Sequence, residues 1–256
     1  MIKTVIVIPI YRHVEGTERQ SLEQCMRVLG AHDIVVVHPE KLDLTDDLRQ
    51  YPDVRMLPLR NEWFAGVEGY NSMMLSTEFY RLFTDYDYML IYQLDAYVFS
   101  DQLDYWASLD YDYIGAPWTF HVGLFHATIG RFVRWMRRTL QPAGWEGRVK
   151  NCHIAGQVGN GGFSLRRISK MEEMTRLYAH HIAKLHFGEK RAQEDVFFAL
   201  VAGRKAGLKV PKRKEAMRFA WESHPDWCMR KMGRLPFGCH AWQLDKHIGF
   251  WMNHIQ

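Results

Sequence analysis

Runs of apolar residues separated by turn residues predict alternating strands and helices at the start of the chain. Residues 4–11 (TVIVIPIY) are almost continuously apolar, which is typical of a strand buried on both faces. Residues 21–29 have helical spacing and end at Gly30, and residues 33–38 (DIVVVH) predict a second strand before a proline. This β-α-β order predicts a parallel sheet with a right-handed crossover.

The pattern then leads to a single acidic residue. A short strand at residues 54–57 and a helix at residues 70–83 precede residues 89–99 (MLIYQLDAYVF), an apolar strand that runs into Asp95. Open α/β sheets hold their ligands at the C-terminal ends of strands, where a carboxylate could reach a metal bound to phosphate. Aspartate also ends strands and caps the loops that follow them, so a structural role remains open.

The second half of the chain begins with weaker patterns. Residues 111–117 predict a short strand that ends at proline, and residues 118–130 have no clear period, which predicts a loop. Residues 131–140 (RFVRWMRRTL) predict a basic amphipathic helix, either a surface helix or one that lies on an anionic membrane. Since no repeat or linker interrupts the chain, we expect a single domain.

Length, composition and charge limit the classes of protein to which the chain could belong. A length of 256 residues and 47% hydrophobic content suit one α/β domain, and the net charge of +4 favours an anionic ligand without the basic stripe of a nucleic-acid binder. The sequence contains neither a signal-peptide pattern nor an apolar run of roughly 18 residues, so we expect a cytoplasmic protein whose membrane contact, if any, is peripheral at the inner face. The four cysteines lack CxxC spacing and are expected to be free thiols.

Three later segments carry candidate chemistry. In residues 158–166 (VGNGGFSLR), glycines and an asparagine could offer backbone amides to hydroxyls or phosphate, or could form a glycine-rich hairpin. Glu194 and Asp195 begin a helix in QEDVFFALVA, where they could cap the helix or remove a proton from a hydroxyl. His240, in LPFGCHAW, could be structural or could form a mixed oxygen and nitrogen manganese site with Asp95.

The order of these segments resembles a known family. VIPIY, LDAYVF, GNGGFSLR, EDVFF and PFGCHAW follow one another from about Val5 to Trp242 as they do in GT-A glycosyltransferases, and more narrowly in a bacterial group described as a domain of unknown function. The resemblance implies a GT-A-like α/β fold, with a mostly parallel central sheet flanked by helices in a single domain over residues 1–256. Residues 1–100 would form the nucleotide-sugar-binding half and residues 101–256 the acceptor-binding half.

The resemblance also implies a donor site. A nucleotide-sugar donor, with a UDP-sugar favoured, would contact Pro9, Tyr11, Arg12 and His38. Asp95 matches the first aspartate of a DxD-like motif that holds manganese or magnesium against the donor diphosphate. Here the motif reads DAY, so a tyrosine stands where the second carboxylate is expected.

The later motifs complete the implied site. His240 resembles a late histidine that completes the metal site in several GT-A families. Gly161, Gly162 and Ser164 match the segment that lines the donor sugar and the acceptor. Glu194 and Asp195 resemble the ED pair of inverting enzymes, with Asp195 as the general base and Glu194 binding the acceptor, a saccharide or glycan of the kind used in cell-surface polysaccharide synthesis.

Other functions stay open on the sequence. A transferase that glycosylates modified nucleic-acid bases would use the aromatic and arginine residues of segment 118–148, but it ranks lower because the positive charge is spread along the chain. A non-catalytic carbohydrate-binding module would explain the tryptophans and tyrosines without Glu194 or Asp195. A sugar-1-phosphate nucleotidyltransferase would need an early glycine- and arginine-rich loop, which does not follow Arg12.

Overall fold

A six-stranded mixed sheet forms the centre of the protein. The computed structural model describes residues 2–119, 148–149, 156–184, 186–187, 190–191, 193–202 and 206–255. The strand order is β3-β2-β1-β4-β8-β6. These strands are β1 (Thr4–Pro9), β2 (Asp33–Pro39), β3 (Arg55–Leu59), β4 (Tyr88–Tyr92), β6 (Tyr113–Gly115) and β8 (Phe163–Arg167). The first four are mutually parallel, and β8 runs antiparallel to both β4 and β6.

Two small sheets accompany the central one. The first has the order β11-β12-β5 and the second the order β10-β9-β7. Their strands are β5 (Ala96–Val98), β7 (Arg148–Val149), β9 (His186–Phe187), β10 (Lys190–Arg191), β11 (Ala220–Trp221) and β12 (Gly238–His240).

Helices cover both faces of the central sheet. The described helices are α1 (Gly16–Leu29), α2 (Thr45–Leu48), α3 (Gly66–Met74), α4 (Thr77–Arg81), α5 (Leu103–Ser108), α6 (Ile168–Leu177), α7 (Ala179–Lys184), α8 (Glu194–Val196), α9 (Arg213–Phe219), α10 (Pro225–Met232) and α11 (Asp245–Trp251), with a 3₁₀ turn at Asn61–Phe64 and a π-helix at Phe197–Ala202. None of the described helices is long and apolar enough to cross a membrane.

The sheet separates two hydrophobic cores. Alternate residues of β1 point to opposite faces, so Val5 and Val7 pack with α3, α4 and α6, while Ile6 and Ile8 pack with α1 and α5. All four side chains are fully buried. Burial on both faces explains why β1 is an unbroken apolar run, and the expected mostly parallel α/β sheet is confirmed.

Two predicted elements are each divided in the structure. The predicted strand 89–99 is β4 and β5, because the chain turns after Tyr92, with the Ala96 amide donating to the Gln93 carbonyl at 2.8 Å, and then pairs with β12 instead of the central sheet. Asp95 therefore lies in the turn and not in the strand. The predicted helix 70–83 is α3 and α4, because Ser76 breaks the helix and caps α4 by accepting a hydrogen bond from the amide of Phe79.

The prediction of free cysteines can be compared with the structure for three of the four residues, and two predicted segments lie mostly or wholly outside the described residues. Cys25, Cys228 and Cys239 are buried free thiols, as expected, and Cys152 lies outside the described residues. The predicted helix 131–140 also lies outside them, as does the predicted loop 118–130 apart from its first two residues.

Candidate active site

A cleft of about 710 Å³ opens where β1 and β4 end and β8 begins. Parallel β1 and β4 have their C-terminal ends at this edge, and antiparallel β8 starts there, so three separate parts of the sequence meet. Nine residues that the sequence singles out line this cleft: Pro9, Tyr11, Arg12, Asp95, Gly161, Gly162, Glu194, Asp195 and His240.

Two residues expected in the donor site lie elsewhere. His38 is buried within β2, and its Nδ1 lies 3.0 Å from the carbonyl oxygen of Pro39. Ser164 is fully buried in β8, where its hydroxyl donates to the carbonyl of Gly161 at 2.9 Å. Neither side chain is among those that outline the cleft in the described part of the chain.

The paired glycines make room for two functional side chains. A Cβ atom on Gly161 would lie 1.6 Å from Oε1 of Glu194, and a Cβ on Gly162 would lie 2.0 Å from Nε2 of His240. Asn160 starts this turn at a φ of 61°, and its Oδ1 accepts a hydrogen bond from the amide of Gly162 at 3.2 Å. The GNGG sequence thus allows a carboxylate and an imidazole to approach the backbone closely.

Asp95 and His240 meet because β5 and β12 are neighbours. His240 ends β12 opposite Ala96, and its Nε2 lies 3.0 Å from Oδ1 of Asp95 and 3.2 Å from Oε1 of Gln93. Burial lowers the pKa of His240, but the carboxylates of Asp95 and Glu222 outweigh burial and raise that pKa to about 10. Burial would raise the pKa of Asp95, and the imidazole overcomes this effect and holds the pKa below its ordinary value.

Asp95 and His240 could each supply one ligand to a divalent metal. Oδ1 of Asp95 is buried and accepts no well-aligned hydrogen bond among the described residues, although the imidazole nitrogen is near. The carboxylate oxygen of Asp95 and the amide oxygen of Gln93 are hard donors that suit manganese or magnesium. His240, whose raised pKa keeps it protonated near neutral pH, would have to lose a proton before its nitrogen could bind the metal. Within the described ranges no group of three His, Cys, Asp or Glu side chains could hold a metal, so phosphate and water would have to supply the other ligands.

Glu194 and Asp195 lie together at the start of α8 but differ in environment. Glu194 is buried and forms an ion pair with Arg166, with Nη2 and Oε1 at 3.0 Å. Asp195 is partly exposed to the cleft, and its Oδ1 accepts a hydrogen bond from the amide of Val196 at 2.7 Å. Burial and the adjacent Glu194 raise the pKa of Asp195 to about 7. Asp195 can therefore accept a proton near neutral pH.

Sequence reasoning missed much of the cleft wall. The additional lining residues include Glu18, Trp63, Phe64, Tyr70, Asn71, Gln93, Glu222 and Gln243. Glu222 lies 3.8 Å from Nδ1 of His240, and at the cleft Glu18 forms an ion pair with Arg12 at 2.7 Å. Glycines within residues 61–69 predict a loop, and this was the available signal in the sequence for the lining aromatic residues Trp63 and Phe64.

The chain matches one protein family and resembles several solved structures. Residues 53–240 match the sequence profile of a family described as "Protein of unknown function (DUF5672)". No curated protein sequence matches the chain significantly. The structure resembles galactosyltransferase LgtC in complex with donor and acceptor sugar analogs, at a TM-score of 0.55 and 15% identity over 98% of this chain and 93% of that one.

A second similar structure is apo mouse xyloside xylosyltransferase 1, with a TM-score of 0.56 and 11% identity over 96% of this chain and 99% of that one. The apo glycosyltransferase GlyE of Streptococcus pneumoniae is also similar, with a TM-score of 0.51 and 12% identity over 95% of this chain and 55% of that one. At these identities the likeness shows a shared fold, and the chain has the GT-A fold that its sequence motifs imply.

Proposed function

The chain belongs to the family described as "Protein of unknown function (DUF5672)", and we propose that it is a glycosyltransferase that moves a sugar from a nucleotide-sugar donor to a hydroxyl of a saccharide acceptor. The observation that carries the proposal is Asp195, a carboxylate with a pKa of about 7 in the cleft at the C-terminal edge of a GT-A sheet. Such a group is suited to removing the proton of an attacking hydroxyl.

In the proposed reaction, Asp195 accepts the proton as the acceptor oxygen bonds to the anomeric carbon of the donor sugar. The bond from that carbon to the diphosphate oxygen breaks, and the nucleoside diphosphate leaves with the electron pair. Because the acceptor oxygen displaces the leaving group directly, the product has the inverted configuration. Glu194, whose second oxygen Oε2 is buried without a hydrogen-bond partner among the described residues, would bind a substrate hydroxyl.

The donor would lie near Asp95 and His240, with UDP as the favoured nucleotide. Pro9, Tyr11 and Arg12, at the end of β1, line the same cleft and would contact the nucleotide. A divalent metal, when bound, would offset the negative charge that develops on the leaving diphosphate. Asp95 and His240 would hold it, with Gln93 as a further oxygen donor. Apart from His240, the proposed donor contacts lie within residues 1–100, and the acceptor would bind residues 101–256.

The proposal is tested by donor binding and by turnover. A thermal-shift screen of nucleotide sugars with and without Mn²⁺ should raise the melting temperature for at least one donor, since a ligand that binds only the native state stabilises it. Nucleoside diphosphate release should then require an acceptor, and NMR of the product should show inversion. Saccharide binding without release from any donor would favour a carbohydrate-binding module, and would refute the enzymatic proposal.

Asp195→Asn is the informative variant because it preserves shape and removes the base. Donor affinity should remain while turnover falls by roughly 10²–10⁴-fold. Asp46→Asn is a matched control, since Asp46 is an exposed surface aspartate paired with Arg49, and it should retain full turnover. Equal turnover of Asp195→Asn and the parent would exclude Asp195 as the base.

A further inference from the structure

The active-site carboxylates depend on a buried arginine that does not reach the cleft itself. We propose that Arg166 is a positioning residue. Its ion pair with one oxygen of Glu194 would orient Asp195 and the other oxygen of Glu194 toward the substrates. This inference rests on the proposed glycosyl transfer. It adds a residue for which the sequence motifs imply no role.

Arg166 ties four segments together through one guanidinium group. Its Nη2 contacts Oε1 of Glu194 at 3.0 Å, its Nε donates to the hydroxyl of Ser164 at 3.0 Å, and its Nη1 donates to the hydroxyl of Tyr80 at 3.1 Å. The carbonyl of Gly161 accepts from Nη2 at 3.3 Å. Strand β8, helix α4, the glycine turn and helix α8 are therefore linked at a single point.

Aromatic rings and close packing limit the movement of the guanidinium. Its carbon lies 5.4 Å from the centre of the Tyr113 ring and 5.7 Å from that of Phe198, and the side chain is fully buried. A planar guanidinium held by several hydrogen bonds and by rings loses little further freedom when it binds a carboxylate. Arg166 therefore holds the carboxylate of Glu194 in one position.

Helix α8 is anchored in the core through Val196, but few hydrogen bonds hold its two carboxylates. It is only three residues long and leads into a π-helix, a form that often occurs at functional sites. Besides the ion pair, the amide of Glu194 donates to Oδ1 of Asn71 at 3.0 Å. Without the ion pair to Arg166, this bond to α3 would be the remaining described hydrogen bond from Glu194 to another segment, while Val196 would still anchor α8 in the core.

The arrangement is costly as a device for stability alone. A fully buried ion pair is often no more stabilising than two apolar side chains of similar volume. Glu194 also keeps Oε2 buried without a described partner, and a buried acceptor of this kind is unfavourable until a donor reaches it. A substrate hydroxyl that entered the cleft would supply that donor.

The decisive experiment separates stability from positioning with three variants and one control. Arg166→Met should lower the melting temperature because it leaves the Glu194 charge buried and unpaired. The double variant Arg166→Met with Glu194→Met removes both charges and should restore the melting temperature. Glu194→Gln keeps a group that can accept the Arg166 hydrogen bond, and so should keep more turnover than Arg166→Met.

The control is Arg167→Met, on the same strand. Arg167 points away from the cleft and pairs with Asp110 and Asp112. Loss of this partly exposed network should leave both kcat and the pKa of Asp195 unchanged, although it lowers the melting temperature slightly.

Arg166→Met should lose at least about 100-fold in kcat, because misplacement by about 1 Å can cost that much. The donor KM should change far less. The double variant tests stability alone, since it also lacks the Glu194 oxygen that would bind a substrate hydroxyl. Full kcat in Arg166→Met would overturn the proposal, as would a turnover of Glu194→Gln no higher than that of Arg166→Met.

A second readout does not depend on glycosyl transfer. The pKa of the Asp195 carboxyl can be measured by ¹³C NMR in the parent and in Arg166→Met, where it should rise because the positive charge of Arg166 lowers it. An unchanged pKa would overturn the proposal that Arg166 acts on these carboxylates. A parent protein that binds no nucleotide sugar would instead contradict the proposed function, while the NMR result would still judge the role of Arg166.

Discussion

Turnover of this protein should follow the ionisation of Asp195. The carboxyl must be deprotonated to accept the hydroxyl proton, and burial together with Glu194 places its pKa at about 7. For a single group with that pKa, roughly one tenth of the molecules are active at about pH 6, half at about pH 7 and nine tenths at about pH 8. We therefore expect kcat/KM for the acceptor, which reports the enzyme before the acceptor binds, to rise about tenfold between pH 6 and 8.

The environment of Asp195 explains why this midpoint is far from that of an ordinary aspartate. The side chain lies at the cleft wall beside a second carboxylate, and the hydrogen bond from the Val196 amide at 2.7 Å only partly offsets the cost of its charge. A base with a pKa near the working pH combines a large deprotonated fraction with useful proton affinity. An aspartate at its ordinary value would be deprotonated throughout this range but would be a weaker base.

The assay is initial-rate measurement of nucleoside diphosphate release at saturating donor and with the acceptor well below its KM, from pH 5.5 to 8.5, at constant ionic strength. Asp195→Asn should show a low rate without the midpoint near pH 7, whereas Asp46→Asn should reproduce the parent profile. A parent profile that is flat from pH 6 to 8, or one whose midpoint survives in Asp195→Asn, would refute the assignment of Asp195 as the base.

Three further predictions follow from the same site. Asp95→Ala and His240→Ala should both abolish the Mn²⁺ dependence of UDP binding by calorimetry, and if His240 were only structural its variant would lower the melting temperature yet keep the metal dependence. Gly161→Ala should destabilise the fold by about 1–3 kcal/mol, because the new Cβ would lie 1.6 Å from Oε1 of Glu194, and should lower kcat. Its control, Gly249→Ala in α11, meets no atom within 4 Å and should be neutral or stabilising in chemical denaturation. Because the folded pKa of Asp195 is raised, its contribution to stability is present below about pH 4 and is lost as the pH rises through about 7, so the melting temperature of the parent should fall over this range more than that of Asp195→Asn.

The elements that local patterns determine were predictable from the sequence. The unbroken apolar runs of β1 and β2 reflect burial on both faces, and Gly30 does follow the last residue of α1. The position of Asp95 was harder to predict, because the apolar character of its segment continues through a change of sheet. Only the pairing of β5 with β12, separated by more than 100 residues, shows where the strand ends.

The candidate site was predictable as a set of residues but not as a set of contacts. The chemistry of Asp95, Asp195 and His240 was visible in their residue types, while the partners that define their environments come from distant segments. Arg166 lies 28 residues before Glu194, and Ser164 has the same motif as Gly161 but faces the core. No local pattern distinguishes a serine that contacts a ligand from one that supports an arginine.

The two glycines show how the structure changes the meaning of a motif. A glycine-rich turn near a phosphate site suggests free backbone amides, yet here Gly162 already donates its amide to Asn160, and the missing Cβ atoms give space to Glu194 and His240. The same turn also accepts a hydrogen bond from Arg166 at the carbonyl of Gly161. One short segment thus sets the distance between the carboxylates of α8 and the imidazole of β12. Asp195 would act on the acceptor oxygen and His240 on the departing diphosphate, on opposite sides of the anomeric carbon. The spacing between these two groups therefore depends on the missing side chains of Gly161 and Gly162 as well as on the side chains present.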